Sequence, residues 1–464
     1  MDLIRSLRIK QNTRMAIVGS GGKTSVLRRI AQQAKVPVLV TTSTHFGSWQ
    51  LGFANHHITV RDHQDIVEEE IATLEGVILL TGKTSDDGRA EGLSGGCLRR
   101  VFEIAESLNY PLIIEADGSR QKPIKAPADH EPVIPEFINY VVICVGMSSI
   151  GMPITPEWVH RSVRFSDITG FDLGSRIVAD TIMKYLIHPA GGLKNIPKNA
   201  RRVVLLNQAA TESLQAIGLS MKSDLLQHYD SVILACLANV DQFGRDESNK
   251  FGIQLSADSK QKQDEIYAVY EHVAGIVLAA GGSTRLGRPK QVLDWRGEPF
   301  VRHVVRAAKS AGLDPVVVVA GSDAEQVNLA LIEAEVKICY NPSWYLGQSS
   351  SVKVGLENLP KNSAAVVFLL ADQPQISVNL IRALIAEHTN QLPVVVGPII
   401  DGKRGNPVLF DRDTFQELTE LTGDTGGRAI FHKYPVTWIP WNDAQQMVDI
   451  DTLEQYYRFL SNIE

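Results

Sequence analysis

The sequence is poor in several things that would otherwise decide its class. It has four cysteines in 464 residues, Cys97, Cys144, Cys236 and Cys339. They stand far apart and form no C-x-x-C pair, which argues against a disulfide scaffold, a zinc ribbon or an iron–sulfur cluster. Positive charge is not in excess: Lys and Arg total 46 against 52 for Asp and Glu, a formal charge of -6. No overall cationic field is on offer to nucleic acid or to an anionic membrane. No apolar run approaches the ~20 residues of a membrane span. The opening MDLIRSLRIKQNTR lacks the apolar core and cleavage site of a signal peptide. The expectation is a cytoplasmic, unprocessed protein with no nucleic-acid and no membrane partner.

What the chain has in quantity is short β-branched runs set between amphipathic stretches. At roughly 150 residues per domain its length suggests two to three domains. MAIVG, VPVLVTT, GVILLTG, PLIIEADG, YVVICVG, RRVVLLN and SVILACL read as buried strands alternating with helices, the rhythm of a mostly parallel sheet. The pattern dissolves from about residue 241 into DQFGRDESNKFGIQLSADSKQKQDE, then resumes with HVAGIVLAAGG. Two tandem α/β domains are therefore expected, at 1–240 and 273–464, with a polar linker at 241–272.

Strand MAIVG runs into Gly19-Ser20-Gly21-Gly22-Lys23-Thr24 and then an amphipathic helix. Glycines at such a turn let backbone N–H groups approach phosphate oxygens at the positive end of the helix dipole. Lys23 would reach the terminal phosphates and Thr24 a Mg²⁺ ion. The spacing is the shorter G-x-x-G-K-[ST] form of the P-loop. PLIIEADG places Glu115 and Asp117 at another strand end, where an acid could hold the metal. Thr41, Thr42, Ser43 and Thr44 make a polar cluster at a third, for which a hydroxyl-rich turn is an equal account.

GSGGKT, VLVTTSTH, EADGSRQKPIKAPADHEPVIP and His160-Arg161 resemble the YqeC-type proteins, accessory proteins of selenium-dependent molybdenum hydroxylases. The resemblance spans about residues 1 to 240 and implies a P-loop-like nucleotide-binding domain whose ligand-facing set includes Lys23, Thr24, Asp117, Lys125, His130 and Glu131. ATP or another nucleotide is the implied ligand, and an apo molybdenum hydroxylase the implied partner. His130 and His160 also read as structural. Such domains often carry an N-K-x-D-like segment after a late strand; Asn207-Gln208-Ala209-Ala210 lacks the Asp that would recognise guanine, so GTP gains no support.

The second series opens with Leu278, Ala279, Ala280, Gly281, Gly282, Ser283, Thr284 and Arg285, and continues to Lys290. Small residues let the main chain wrap a triphosphate and base, and Arg285 and Lys290 are cations suited to its charge. No G-K-[ST] follows, and Pro289 interrupts the helix that a dinucleotide fingerprint would begin at once. Asp372, after strand AAVVFLL, and Asp449, in MVDIDT, are the candidate pair for Mg²⁺, which takes one or two carboxylates plus phosphate oxygens and water. Asp451 reads as a cap for the terminal helix.

LAAGGSTRLGRPKQVL, NPSWYLGQSSSVKVG, LADQP, GKRGNPVLF, TGDTGGRAI and VDIDT are similar, in this order, to the MobA-like nucleotidyltransferases, and most closely to molybdenum cofactor cytidylyltransferase. This implies a Rossmann-like, GT-A-like fold. It implies nucleotide binding by the glycine loop and metal binding by Asp372 and Asp449. It also implies acceptor binding by Gly405, Asn406, Pro407, Gly423, Asp424 and Arg428. Ala280, where guanylyltransferases have glycine, points to CTP by one methyl group, worth about 1 to 3 kcal/mol in a pocket. The implied reaction joins CMP to the phosphate of molybdenum-bound molybdopterin and releases pyrophosphate. The alternatives are another phosphate acceptor, GTP as donor, or a carrier that binds finished cofactor without turnover. Trp344 and Tyr345 read as a loop anchor.

Overall fold

The computed structural model describes residues 1–86, 88–118, 120–237, 265–282, 286–443, 450 and 452–461, with the backbone alone at 48–50. The chain divides into two units, Met1–Tyr270 and Glu271–Glu464.

In the first unit β1 (Arg14–Gly19), β2 (Val38–Thr42), β3 (His56–Thr59), β4 (Val77–Thr81), β5 (Leu112–Glu115), β6 (Tyr140–Gly146), β7 (Arg201–Asn207), β8 (Ser231–Cys236) and β9 (Glu265–Glu271) form one sheet. Their order is β9-β8-β7-β6-β1-β5-β2-β4-β3, and the pairs from β8 to β3 run parallel. Every residue of β1, β2, β4, β5 and β6 is buried, which explains why they read as continuous apolar runs. Helices α1 (Lys23–Gln33), α2 (Gly95–Ser107), α3 (Ala179–Ile187) and α4 (Glu212–Leu226) turn one face inward. Val101, Ile104, Ile182, Leu186, Met221 and Leu225 from them join the strand residues in one core.

The chain adds β2 to β5 on one side of β1 and β6 to β9 on the other. Parallel sheets leave a crevice beyond the carboxyl ends at such a switch. Register brings the right residues to it: Gly19 lies opposite Cys144, Ile17 and Thr42 opposite Glu115, and Asn207 opposite Gly146.

The second unit has β10 (Val273–Ala279), β11 (Val316–Ala320), β12 (Lys337–Tyr340), β13 (Ala365–Leu370), β14 (Val395–Ile400), β15 (Lys403–Arg404), β16 (Val408–Asp411) and β17 (Val436–Trp441). The order is β12-β11-β10-β13-β16-β14-β15, with β17 beside β14. Helices α5 (Phe300–Ala311), α6 (Gln348–Glu357) and α7 (Val378–Gln391) cover it. The sheet is mixed: β16 runs antiparallel to β13 and β14. The reversal comes from Asp401-Gly402, whose φ values of 48 and 75 close a tight hairpin between β14 and β15.

Both units are α/β, as the strand–helix rhythm implies. The stretch read as linker differs at its end. Residues 238–264 lie outside the described set, but Glu265–Glu271 is strand β9, with Ile266, Ala268 and Val269 buried. Its core residues Ile-Tyr-Ala-Val-Tyr are apolar, but they follow directly on a long polar stretch and are bracketed by Glu265 and Glu271, so the run reads as part of the linker.

Candidate functional site

The first glycine loop is shaped by its neighbours. A Cβ on Gly21 would stand 2.3 Å from Gly146 N, and one on Gly22 2.1 Å from Asn207 Nδ2. Side chains are thus barred by the ends of β6 and β7. Asn207, in the segment that lacks a guanine-recognising Asp, ties the loop down: it donates to Gly21 O at 2.8 Å and accepts from Leu237 N at 2.8 Å. Thr24 sits in the first turn of α1.

Lys23 does not point outward. Its Nζ donates to Gly19 O and to Asp117 Oδ1, each at 2.7 Å, and lies 3.8 Å from Glu115 Oε1. Asp117 is the junction of a chain of alternating charges. Its Oδ2 accepts from Gly19 N at 2.9 Å and meets Lys125 Nζ at 2.9 Å. Lys125 also donates to Glu131 Oε2 at 2.9 Å, and Arg161 holds Glu131 through both oxygens at 2.8 and 3.2 Å. With both oxygens held by ammonium groups and the loop, Asp117 orders the cations here, whereas the sequence reading had it beside a metal.

The environment sets the protonation states. Burial disfavours the charge of Lys23, but Asp117 and Glu115 outweigh it and raise the pKa. Burial pushes Glu115 up to about 7, against the pull of Lys23. Among the described residues its Oε2 has no hydrogen-bond partner. Burial also disfavours the Glu131 carboxylate, yet Arg161 and Lys125 hold it at about 2. His160 is driven down to about 4 by burial and then by Arg161 and Lys125, so it is neutral at pH 7. His130 is exposed, on a loop clamped by Lys194 to Ala128 O at 2.5 Å and by Asn195 to Pro132 O at 3.0 Å.

In the second unit, Leu278 and Leu370 are register partners in adjacent parallel strands. The loop from Ala280 and the turn carrying Asp372 therefore leave the sheet side by side at its carboxyl end. Asp372 is half-buried. Gly282 abuts the ring of Trp344: a Cβ there would stand 2.8 Å from Cζ3. Trp344 is thus an anchor, as read from sequence, while Tyr345 is exposed. Ala280 is 5% exposed and packs in the core with Ile276, Val319 and Val352, so its methyl acts through strand spacing and not as an open wall of a base pocket. Lys290 opens a short 3-10 turn, Lys290–Val292. Ser283, Arg285, Asp449 and Asp451 lie outside the described residues.

The acceptor segments converge next to this turn. Asn406 and Pro407 line a narrow cleft with Leu369, Leu370, Gln373 and Ile376, and Arg428 Nη2 donates to Asn406 Oδ1 at 3.1 Å. Gly405 packs on Pro398 and Ile400. Gly423 and Asp424 have a different employment. Gly423 O accepts from Ser349 Oγ at 2.7 Å and Asp424 Oδ1 from Gln348 N at 3.3 Å, so the pair caps α6. Among the described residues no three His, Cys, Asp or Glu side chains gather where a cation could sit. Mg²⁺ asks for less, one or two carboxylates with phosphate oxygens and water, and Asp372 fits as one such donor.

Residues that sequence reasoning missed are those acting through packing or backbone: Asn207, Lys194, Asn195, Ser322 and Gln291. Asn207 stands in the N-K-x-D-like segment, which draws notice only for its missing Asp, and Gln291 stands one residue beyond the loop's Lys290; no motif marks Lys194, Asn195 or Ser322.

Each half thus carries a glycine loop at a strand end, with a chain of buried charges beside the first and the turn of Asp372 beside the second. Residues 15–163 match the YqeC protein family and residues 275–438 the MobA-like NTP transferase domain family. The chain is 30% identical over 228 residues to the YqeC protein of Escherichia coli, covering 48% of this chain and 85% of that one. Over 197 residues it is 30% identical to the nicotine blue oxidoreductase of Paenarthrobacter nicotinovorans, covering 40% and 96%. Over 194 residues it is 31% identical to a probable molybdenum cofactor guanylyltransferase of Bacillus mycoides, covering 39% and 93%. The crystal structure of Rv0371c from Mycobacterium tuberculosis aligns with TM-score 0.38 and 28% identity, over 41% of this chain and 98% of that one. The chain belongs to both families: it is a MobA-like nucleotidyltransferase joined to a YqeC domain.

Proposed function

We propose that the second unit transfers CMP from CTP to the phosphate of molybdenum-bound molybdopterin and releases pyrophosphate. The observation that carries this is the register of β10 and β13, which sets the glycine loop beside the turn carrying Asp372, a turn that Asn406 meets across a cleft lined by Leu370 and Gln373. An acceptor phosphate oxygen forms a bond to the α-phosphorus as the bond to pyrophosphate breaks, so positioning and charge neutralisation do most of the work. The loop's N–H groups, Arg285 and Lys290 orient the triphosphate; Asn406 and Arg428 hold the acceptor. Mg²⁺ on Asp372 and Asp449 would supply further neutralisation of the triphosphate. Ala280 in place of glycine supports CTP only through the spacing of β10 and its neighbours, since its methyl is buried with Ile276, Val319 and Val352. The guanylyltransferase relatives favour the same acceptor chemistry, with GTP as the competing donor.

The YqeC unit, with ATP or another nucleotide on its loop, serves the maturation of a cytoplasmic molybdenum hydroxylase in this reading. The test is incubation of the full chain with molybdenum-loaded molybdopterin and each of the four ribonucleoside triphosphates. Pyrophosphate and a cytidylylated product are expected with CTP. Turnover with GTP alone would replace the donor, and no pyrophosphate with any of the four would leave a carrier.

A further inference from the structure

We infer that Gln291 is a positioning residue for the nucleoside triphosphate, because it sets the peptide planes of the second glycine loop; the inference rests on the nucleotidyltransferase reading. Gln291 is 4% exposed and lies in the turn Lys290–Val292, beneath the end of β10. Its Nε2 donates to Ala279 O at 3.0 Å and to Gly281 O at 2.7 Å. A primary amide nitrogen carries two hydrogens, and both are spent on this loop.

The consequence follows from peptide geometry. In a planar trans peptide the C=O and the following N–H point opposite ways. Drawing Ala279 O and Gly281 O inward turns the N–H groups of Ala280 and Gly282 the other way. A phosphate approaching the loop then meets positive N–H ends and not carbonyl oxygens, the polarity on which backbone anion cradles depend. Among the described residues no other donor of comparable strength holds the two carbonyls in. Ser322 Oγ lies 3.3 Å from Gly281 O, but it has one hydrogen and stands 2.6 Å from Asp323 Oδ2, the stronger acceptor. The Trp344 ring also packs against Gly282, where a Cβ would stand 2.8 Å from its Cζ3.

Lys290, the cation assigned to the triphosphate, begins the same turn. Amide clamp and ammonium are therefore placed by one piece of backbone, which links the loop's shape to the charge that neutralises its ligand. Gln291 touches no ligand itself.

The experiment compares the full chain with Gln291→Met, of equal length and without a donor, and Gln291→Glu, isosteric but an acceptor at pH 8. Equilibrium binding of a fluorescent ribose-labelled CTP is read first, because it needs no acceptor. Tenfold or weaker binding is expected in both variants, with the KM for acceptor within about twofold of wild type and kcat at saturating CTP less affected than KM. Circular dichroism checks that the variants are folded; should Gln291→Met not fold, Gln291→Glu carries the comparison. Unchanged CTP affinity in a folded variant overturns the role of Gln291 alone, and so does an equal loss for CTP and acceptor. A wild-type chain that binds no labelled CTP or GTP overturns the nucleotidyltransferase reading instead.

Discussion

Glu115 and Glu131 lie at two places on the same buried chain of charges, and their pKa values move in opposite directions. Lys23 approaches Glu115 only to 3.8 Å, so burial prevails and the carboxyl rises to about 7. Glu131 is gripped by Lys125 and Arg161 and falls to about 2. Both shifts are statements about stability. A raised folded pKa means that the native state binds more protons than the unfolded one between about pH 4.5 and 7, so the Glu115 contribution is lost as pH rises through that window. The shift corresponds to about 3 kcal/mol. For Glu131 the contribution is present above pH 4.5 and is lost as pH falls toward 2. We predict that Glu115→Gln flattens the decline between pH 5 and 8 in urea denaturation of the first unit's transition, while the acid limb below pH 4.5 remains. A wild-type curve whose stability does not fall between pH 5 and 8 would contradict the assignment.

At the scale of the element, β9 makes the sharpest test. It supplies Ile266, Ala268 and Val269 to the first sheet from a stretch that composition alone assigns to a linker. A fragment ending at residue 240 should expose β8 as an unpaired edge and aggregate. One ending at 271 should be soluble and melt several degrees higher; equal behaviour of the two by light scattering and thermal melting would show β9 to be dispensable. The same contrast explains what the sequence made legible. Strands such as Tyr140–Gly146 are buried on both faces and announce themselves as apolar runs, and the two glycine loops follow from the strand–turn–helix order around them. Local pattern is silent about partners. Lys125 stands in the same block as Asp117, but nothing there says that Lys23 will take the other oxygen, or that Gly423 and Asp424 will cap α6. Those two outcomes depend on contacts between residues far apart in sequence. The Asp401-Gly402 hairpin that makes the second sheet mixed carried a local signal, the D-G pair, which the strand–helix rhythm overshadowed.

At the scale of the whole molecule, two families share one chain, and their chemistries should be separable. Asp372→Ala is expected to abolish pyrophosphate release while the protein stays folded, because the side chain is only half-buried. Lys23→Ala should leave that release unchanged and impair activation of the client hydroxylase. Paired assays of both variants decide, and equal losses in the two assays would mean that the halves act as one machine. The buried row from Glu115 to Arg161 also bears on how such a protein can change over generations. Each ion there answers to a neighbour, and removing one strands another beneath the surface, at a cost of about 3 to 5 kcal/mol. Drift in this part of the molecule must then proceed by compensating replacements, so the row is inherited as a block or rebuilt as one.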